Sequence, residues 1–194
     1  MLKEKFKHHN IILGSSSPRR IELLHGLDID FITNKIAVEE NFPEHLKGSE
    51  ITDFLSRKKA EVFDLQPNDV LLTSDTLVMI SDEVLGKPKD ADDAFQMLKK
   101  LSGKAHDVIT SVTIQTTNFQ KTVNHTTKVF FKELTDDEIL YYIENYKPFD
   151  KAGAYGIQEW IGFIGVERIE GSYFNVVGFP VHLVYKLLQE VDLR

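Results

Sequence analysis

The amino-acid sequence predicts an α/β fold built on a mixed sheet. Short apolar runs typical of buried strands alternate with amphipathic helical patterns along the whole chain, which favours strands joined through helices. The threonine-rich stretch 106–132 instead predicts two successive strands joined around Asn118, and such a hairpin is antiparallel. Because no repeat, low-complexity tract or linker interrupts the pattern, we predict one domain over residues 1–194, with a mobile basic lead-in at residues 1–10.

Composition and charge narrow the classes of function. The chain has 194 residues, of which 42% are hydrophobic and 27% charged, as in ordinary soluble globular proteins. It has no cysteine, so disulfides and thiolate metal sites are excluded. Its apolar runs are too short to span a bilayer and its first ten residues lack a signal-peptide core, so we expect a cytoplasmic protein with no membrane partner. The net charge of −7 argues against sequence-independent nucleic-acid binding.

The first strand, loop and helix form a candidate phosphate site. Residues 11–13 are apolar, residues 14–17 are small, and Pro18 opens a helix that a preceding serine can cap. Helix N-terminal N–H groups, serine hydroxyls and the guanidinium groups of Arg19 and Arg20 together suit a phosphate. The alternative is an ordinary capped helix with two solvated arginines.

Two acidic residues and a basic triplet come next. Residues 28–38 predict a strand that ends at Glu39 and Glu40. This pair is either a solvated surface pair or a source of hard oxygen ligands for Mg²⁺. Residues 49–63 predict a helix whose triplet 57–59 mostly faces water, although one of the three side chains could turn into a cleft.

The run 70–80 is the most buried-looking strand, yet polar residues 73–76 interrupt it. A carboxylate inside an apolar strand is costly unless it is paired, hydrogen-bonded or bound to a metal. Either Asp75 begins a turn, or the strand delivers this carboxylate to a site at its end. We favour the second interpretation.

The remaining elements place small polar loops between helices and strands. We predict a helix over 90–101 capped by Asp90, a helix from the Thr135–Glu138 capping box to Tyr146, a strand over 162–169 and a C-terminal helix over 181–191. Lys87 stands between a flexible glycine and a rigid proline. In the loop 150–158, small residues allow another group to approach the backbone closely, and polar residues supply contacts to that group.

The sequence contains no GxxxxGK(S/T) phosphate-binding loop and no GxGxxG dinucleotide-binding loop. It also lacks the HExxH motif of zinc proteases and the GxSxG motif of serine hydrolases. What remains is a set of short polar segments at strand and helix ends. Arginine and lysine match phosphate oxygens, while carboxylates bind Mg²⁺ or activate water. These residues alone indicate either a phosphate-handling hydrolase or a nucleotide-binding protein.

Taken together in chain order, these polar segments resemble the motifs of the Maf family. The matching motifs are Ser-x-Ser-Pro-Arg-Arg (15–20), Ser-Asp-Thr (74–76), Gly-Lys-Pro (86–88), Ser-Gly-Lys-x-His-x-Val-x-Thr (102–110), Asp-Lys-Ala-Gly-Ala-Tyr-Gly-Ile-Gln (150–158) and Gly-Ser-Tyr-x-Asn-Val-Val-Gly-x-Pro (171–180). The match is collinear and spans nearly the whole chain. One departure is Phe179, where leucine is usual; it looks like a packing change.

The resemblance implies a nucleoside triphosphate pyrophosphatase, which releases a monophosphate and pyrophosphate. It implies a mixed sheet flanked by helices in two lobes with an interlobe cleft, similar to inosine triphosphatase. The Ala-Tyr-Gly-Ile-Gln form at 154–158 resembles the branch that acts on dTTP and UTP. Modified pyrimidine nucleotides are further expected substrates, with a role in cleansing the nucleotide pool.

The resemblance also assigns roles by motif match. Asp75 would accept the proton of the attacking water, and Glu40 would share with it a divalent cation, Mg²⁺ or Mn²⁺. The residues expected to hold phosphates are Ser15, Ser17, Arg20 and Lys87, and those expected to read the base are Arg19, Thr76 and Gln158.

Two rival functions remain open from the sequence. A non-catalytic nucleotide-binding regulator of cell division is one, although such a protein needs no water-activating carboxylate. Nucleic-acid binding is the other, but the chain lacks interleaved basic and aromatic residues. A homodimer is a further open alternative.

Overall fold

The computed structural model describes residues 1–193, and within them it has the following helices and strands. The α-helices are α1 (Leu2–Lys5), α2 (Pro18–His25), α3 (Ser49–Glu61), α4 (Ala91–Leu101), α5 (Asp136–Tyr146), α6 (Trp160–Gly165), α7 (Tyr173–Val177) and α8 (Val181–Glu190). The strands are β1 (Asn10–Leu13), β2 (Ile32–Thr33), β3 (Asp69–Ile80), β4 (Glu83–Leu85), β5 (Ala105–Gln115), β6 (Gln120–Phe131) and β7 (Val166–Glu170). Each helix in this part of the chain is too short or too polar to cross a bilayer.

The strands form one mixed sheet. Its order is β2-β1-β3-β5-β6-β7, and β4 pairs with β3 outside that path. β1 runs parallel to both β2 and β3, whereas the β3–β4 and β6–β7 pairs are antiparallel. The predicted mixed α/β fold is therefore confirmed.

The chain divides into two compact units, and the division falls within β3 between Asp75 and Thr76. The first unit comprises Met1–Asp75, Thr110–His125 and the chain from Gly178 onward, and the second comprises Thr76–Ile109 and Thr126–Val177. Each unit has its own hydrophobic core. Leu13, Leu72 and Leu187 are buried in the first core, and Leu98, Ile139 and Ile161 in the second.

The N-terminal segment differs from the mobile lead-in that the sequence predicts for residues 1–10. Leu2–Lys5 form α1, and Leu2 and Phe6 are buried in the first core. Lys5 Nζ donates a hydrogen bond to the carbonyl of Gln189 at 2.6 Å. Two apolar side chains four residues apart lie on one helix face, and their burial anchors this segment.

Two predicted strands are shorter than expected. The strand predicted over 28–38 is reduced to Ile32–Thr33, and Ile36 is 41% exposed. The strand predicted over 162–169 begins only at Val166, because the residues before it form α6. Short apolar runs fit a strand or a buried helix equally well, so their packing partners decide between the two.

The helices with local capping signals have the predicted limits. Asp90 accepts a hydrogen bond from the Asp93 N–H and begins α4. Thr135 and Glu138 form the predicted capping box of α5. Capping hydrogen bonds join residues three apart, so the sequence alone is enough to locate them.

Helix α3 packs through hydroxyl groups as well as through apolar side chains. Thr52 and Ser56 are fully buried, and Ser111 Oγ lies 2.6 Å from Thr52 Oγ1. Ser56 Oγ lies 2.8 Å from Thr113 Oγ1, and Thr73 Oγ1 donates to the Ser56 carbonyl at 2.7 Å. We call these five residues the hydroxyl ladder. Because hydrogen bonds are directional, the ladder fixes where α3 lies along β3 and β5.

His106 in β5 is a buried neutral side chain. It is 2% exposed, its Nε2 lies 2.8 Å from the Tyr155 hydroxyl, and its ring meets those of Phe131 and Tyr155 edge-on. Burial lowers the pKa of His106 from its ordinary 6.5 to about 4. The folded protein therefore resists protonation of a group that the unfolded chain protonates readily.

We expect this histidine to make the protein less stable in acid. Its pKa is lower when folded, so its contribution is fully present above pH 6.5 and is lost as the pH falls towards 4. The free energy of unfolding should drop by about 3 kcal/mol over this range from His106 alone. Urea unfolding of the wild type and of His106→Gln at pH 7.5, 5.5 and 4.5 measures the difference in slope.

The exposed His8 supplies the control for this measurement. His8→Gln should keep the wild-type pH dependence, whereas His106→Gln should flatten it. Parallel curves for the wild type and His106→Gln would contradict the prediction.

Candidate active site

Asp75 lies inside β3, neither in a turn nor at a strand end. β3 continues without interruption from Asp69 to Ile80, so the turn interpretation is wrong, and the strand presents this carboxylate from its middle and not from its end. The last β1 residue paired with β3 is Leu13, opposite Leu72. Asp75 thus follows the point at which β3 loses β1 as a neighbour, and the residue as a whole is only 6% exposed.

A single ammonium group joins the two carboxylates expected to act together. Lys59 Nζ lies 2.6 Å from Asp75 Oδ1 and 2.8 Å from Glu40 Oε1. The side chains of Lys59 and Asp75 are 17% and 9% exposed, and that of Glu40 is 46% exposed. The costly buried carboxylate therefore has the cationic partner that it requires.

Lys59 is absent from the predicted site residues, although the sequence contains a signal for it. Ile51 and Leu55 are buried on the inner face of α3. Lys59 is four residues beyond Leu55 and so shares that face. Extending the apolar spacing by one turn would have singled out Lys59 from its neighbours in the triplet.

Arg20 is fixed by the backbone of the first unit. Its Nη1 donates to the Ser74 carbonyl at 2.9 Å, and its Nε donates to the Gly178 carbonyl at 3.0 Å. Burial lowers the pKa of Arg20, while the charges of Asp75 and Glu40 oppose that shift. A guanidinium keeps its charge in proteins, so a rigid cation stands beside the two carboxylates.

The serine loop passes close over β3. The Gly14 N–H donates to the Leu72 carbonyl at 2.8 Å, and a Cβ at Gly14 would lie 2.8 Å from Thr73 Cγ2. Only glycine allows this approach. Ser15 is buried, and its Oγ accepts a hydrogen bond from the Ser17 N–H at 3.2 Å.

The predicted serine cap of α2 is not formed. Ser17 occupies the N-cap position and Pro18 the first helical position, but the Ser17 side chain makes no capping hydrogen bond. Its hydroxyl is therefore not engaged in closing the first turn. Arg19, in that turn, is half-buried.

The other predicted residues belong to the second unit. Thr76 is half-buried in β3 and Lys87 is exposed. The Gly86 carbonyl accepts a hydrogen bond from the Gly153 N–H at 3.0 Å, which holds the Lys87 loop beside the 150–158 loop. Gln158 in that loop is half-buried.

Glu40 and Asp75 are the two carboxylates that the sequence expects to share a divalent cation. Residues 1–193 include no group of three or more histidine, aspartate or glutamate side chains placed to hold a metal. Glu40 and Asp75 nevertheless converge on one positive group, the Lys59 ammonium. Mg²⁺ is usually held by one or two carboxylates together with substrate phosphates, so this pair fits such an ion.

Comparisons with known proteins agree over nearly the whole chain. The profile of the family described as Maf-like protein matches residues 10–191. A dTTP/UTP pyrophosphatase of Christiangramia forsetii is 56% identical over 193 residues, covering 98% of both chains. One from Flavobacterium psychrophilum is 55% identical over 190 residues, covering 97% of both. One from Bacteroides thetaiotaomicron is 45% identical over 186 residues, covering 94% of this chain and 96% of the relative.

Two solved structures share the fold at low sequence identity. The Ham1 protein of Staphylococcus aureus matches with a TM-score of 0.53 and 15% identity, covering 93% of this chain and 98% of that one. The HAM1 protein of Coxiella burnetii matches with a TM-score of 0.52 and 15% identity, covering 94% of this chain and 100% of that one. They support the mixed α/β architecture.

The Lys59 bridge should contribute measurably to stability. Lys59→Ala leaves Asp75 and Glu40 without the ammonium between them, so two carboxylates repel each other. We expect the free energy of unfolding at pH 7.5 to fall by about 2 kcal/mol, less than for a fully buried pair. Lys99→Ala, which removes an exposed pair with Asp136, should cost about 0.5 kcal/mol or less. Equal losses in urea unfolding would contradict this difference.

Proposed function

This chain belongs to the Maf-like protein family, and from that membership we propose that it is a nucleoside triphosphate pyrophosphatase acting on dTTP and UTP. It hydrolyses the bond between the α and β phosphates and releases the monophosphate and pyrophosphate. The observation that carries this proposal is 56% identity, over 98% of both chains, to a protein named dTTP/UTP pyrophosphatase. The paired carboxylates, lysine and arginine of the first unit supply suitable chemistry.

Asp75 is the proposed proton acceptor. Lys59 binds its Oδ1, so Oδ2 is the oxygen that takes a proton from the water attacking the α-phosphorus. The water oxygen forms the new bond to phosphorus, and the bond to the bridging oxygen of pyrophosphate breaks. The bridge to Glu40 orients both carboxylates towards one place.

Glu40 and Asp75 are the proposed ligands of a divalent cation, Mg²⁺ or Mn²⁺. When bound, the ion neutralises charge on the phosphates and on departing pyrophosphate. Arg20 adds fixed positive charge, because two backbone carbonyls hold its guanidinium. Ser15, Ser17 and Lys87 are further proposed phosphate contacts, on motif match.

Arg19, Thr76 and Gln158 are the proposed contacts to the base. An amide such as that of Gln158 offers a donor and an acceptor to a pyrimidine edge. Modified pyrimidine nucleotides are additional proposed substrates, which would make the enzyme a cleanser of the nucleotide pool. We also propose a cytoplasmic location, in keeping with the absence of cysteine.

The proposal is tested by a panel of nucleoside triphosphates. Pyrophosphate release is measured for dTTP, UTP, CTP and GTP with Mg²⁺, with Mn²⁺ and with EDTA. We expect release from dTTP and UTP that depends on the cation. Tight nucleotide binding without any release would favour the regulator of cell division, which the enzymatic names of the relatives disfavour. Binding to a random oligonucleotide would support nucleic acid as a partner. A sedimentation mass twice that of one chain would establish a homodimer.

Asp75→Asn should separate chemistry from folding. Asparagine has nearly the same shape but cannot accept the proton, so turnover of dTTP should fall by roughly 10²-fold or more. The variant should stay folded by circular dichroism and still bind nucleotide. Asp82→Asn makes the same chemical change in the exposed β3–β4 turn and should retain full activity. A folded, fully active Asp75→Asn would remove this residue from the reaction.

Arg20→Ala should weaken turnover at least about tenfold, because one charge-assisted contact is worth roughly 1.5–3 kcal/mol. The variant also leaves the Ser74 and Gly178 carbonyls without this donor, so its unfolding must be measured beside its activity. Arg168→Ala, at an exposed arginine over Phe130, is the matched control. Unchanged kcat/KM in a folded Arg20→Ala would refute the phosphate contact.

A further inference from the structure

The 150–159 segment of the second unit is held by a buried network that the proposed reaction does not use. Lys151 is 7% exposed, and its Nζ lies 2.8 Å from Asp150 Oδ1 and 3.1 Å from Glu159 Oε1. Tyr142, fully buried in α5, donates its hydroxyl to Glu159 Oε2. We call Tyr142, Lys151 and Glu159 the carboxylate network.

The carboxylate network has a defined direction of hydrogen bonding. The Gly156 N–H donates to the Tyr142 hydroxyl oxygen at 3.0 Å, and that hydroxyl donates to Glu159. Burial, and next the hydrogen bond to Glu159, raise the pKa of Tyr142, so the phenol keeps its proton. The Glu159 carboxylate, the Tyr142 hydroxyl and the Gly156 N–H are thereby linked in one chain of hydrogen bonds.

The network and the Gln158 amide both lie close to the backbone of Gly156. A Cβ added at Gly156 would lie 3.0 Å from Glu159 Cδ, 3.1 Å from Gln158 Nε2 and 3.1 Å from Lys151 Cε. The Gly156 backbone is therefore packed between the base-reading candidate and two members of the network. Because Glu159 directly follows Gln158 in the chain, bonds that hold the Glu159 carboxylate also restrain the backbone that carries Gln158.

Gln158 Oε1 is buried and accepts no hydrogen bond from the residues that the structure describes. Leaving a buried acceptor unsatisfied is unfavourable. Such an atom beside a satisfied network indicates an acceptor kept for a ligand N–H. Reversing the amide would present its N–H₂ group instead, so the orientation of Gln158 decides which ligand edge it matches.

Uracil and thymine differ from cytosine in the hydrogen-bonding groups that they present at positions 3 and 4 of the ring. Uracil and thymine present an N3–H donor beside the O4 acceptor, whereas cytosine presents an N3 acceptor beside the N4 donor. The amide orientation in this structure offers Oε1 as the acceptor, which suits the N3–H of uracil and thymine. A reversed amide would suit cytosine.

We propose that Glu159, held by Lys151 and Tyr142, is a positioning residue that fixes the Gln158 amide and so selects uracil and thymine over cytosine. The inference rests on the proposed function, since it assigns the base-reading role to Gln158. It predicts that loosening the network changes the choice of base, whereas a merely structural role would lower activity on every nucleotide alike.

The experiment compares dUTP with dCTP, which share sugar and phosphates and differ only in the pyrimidine edge. We expect the wild type to prefer dUTP, and Glu159→Gln to lower the ratio of the two kcat/KM values about tenfold, the scale of one lost base-specific contact. Tyr142→Phe removes the relay without a charge change and should lower the ratio in the same direction. Glu144→Gln and Tyr141→Phe, at exposed residues of the same helix, should leave it unchanged.

A second readout keeps the two hypotheses distinct. Calorimetry gives the ratio of the dissociation constants of dUMP and dCMP, which needs no turnover. Failure of the wild type to release pyrophosphate would refute the proposed function, while the binding ratio would still test the inference. An unchanged ratio in folded Glu159→Gln and Tyr142→Phe, equal losses on both nucleotides, or no binding of either monophosphate would overturn the positioning role.

Discussion

A carboxylate inside a strand needs a nearby counter-charge, and the pairing of Asp75 with Lys59 meets that need. The burial cost of a lone carboxylate is several kcal/mol; the ammonium group that α3 brings to Asp75 offsets this cost, and the Arg20 guanidinium adds a second positive charge. The same ammonium draws in Glu40 from an otherwise exposed stretch. Helix α3, strand β3 and the segment that carries Glu40 are therefore joined at one charged cluster.

Arg20 supplies a hydrogen-bond donor to the β3 backbone next to Asp75. β3 loses its parallel neighbour after Leu72, and the Ser74 carbonyl receives the Arg20 guanidinium where a strand N–H would otherwise serve. The arginine thus acts as part of the sheet and is held by the backbone at two carbonyls. A cation fixed in this way loses little conformational entropy when an anion arrives, because its side chain is already ordered.

The predictability of each feature follows from how far apart its determinants lie. The Asp90 cap and the Thr135 capping box are local, so the sequence predicts them, whereas the short extent of β2 and the formation of α6 depend on distant packing partners. The sequence also shows that Asp75 needs a partner, but naming Lys59 requires the inward face of α3. The surroundings of Glu159 include a tyrosine on another helix, and no spacing rule connects the two.

The hydroxyl ladder under α3 has a mechanical consequence. Apolar helix faces tolerate small slips, because dispersion contacts are non-directional and are readily exchanged. The ladder pairs Thr52 with Ser111 at 2.6 Å and Ser56 with Thr113 at 2.8 Å, and these contacts demand both a length and an angle. Advancing the helix by one residue would turn it by about 100° and shift it about 1.5 Å, carrying Lys59 away from both carboxylates. Helix α3 therefore has a single position along its axis that keeps these contacts. Directional hydrogen bonds, and not the packing of apolar side chains, resist its displacement along that axis.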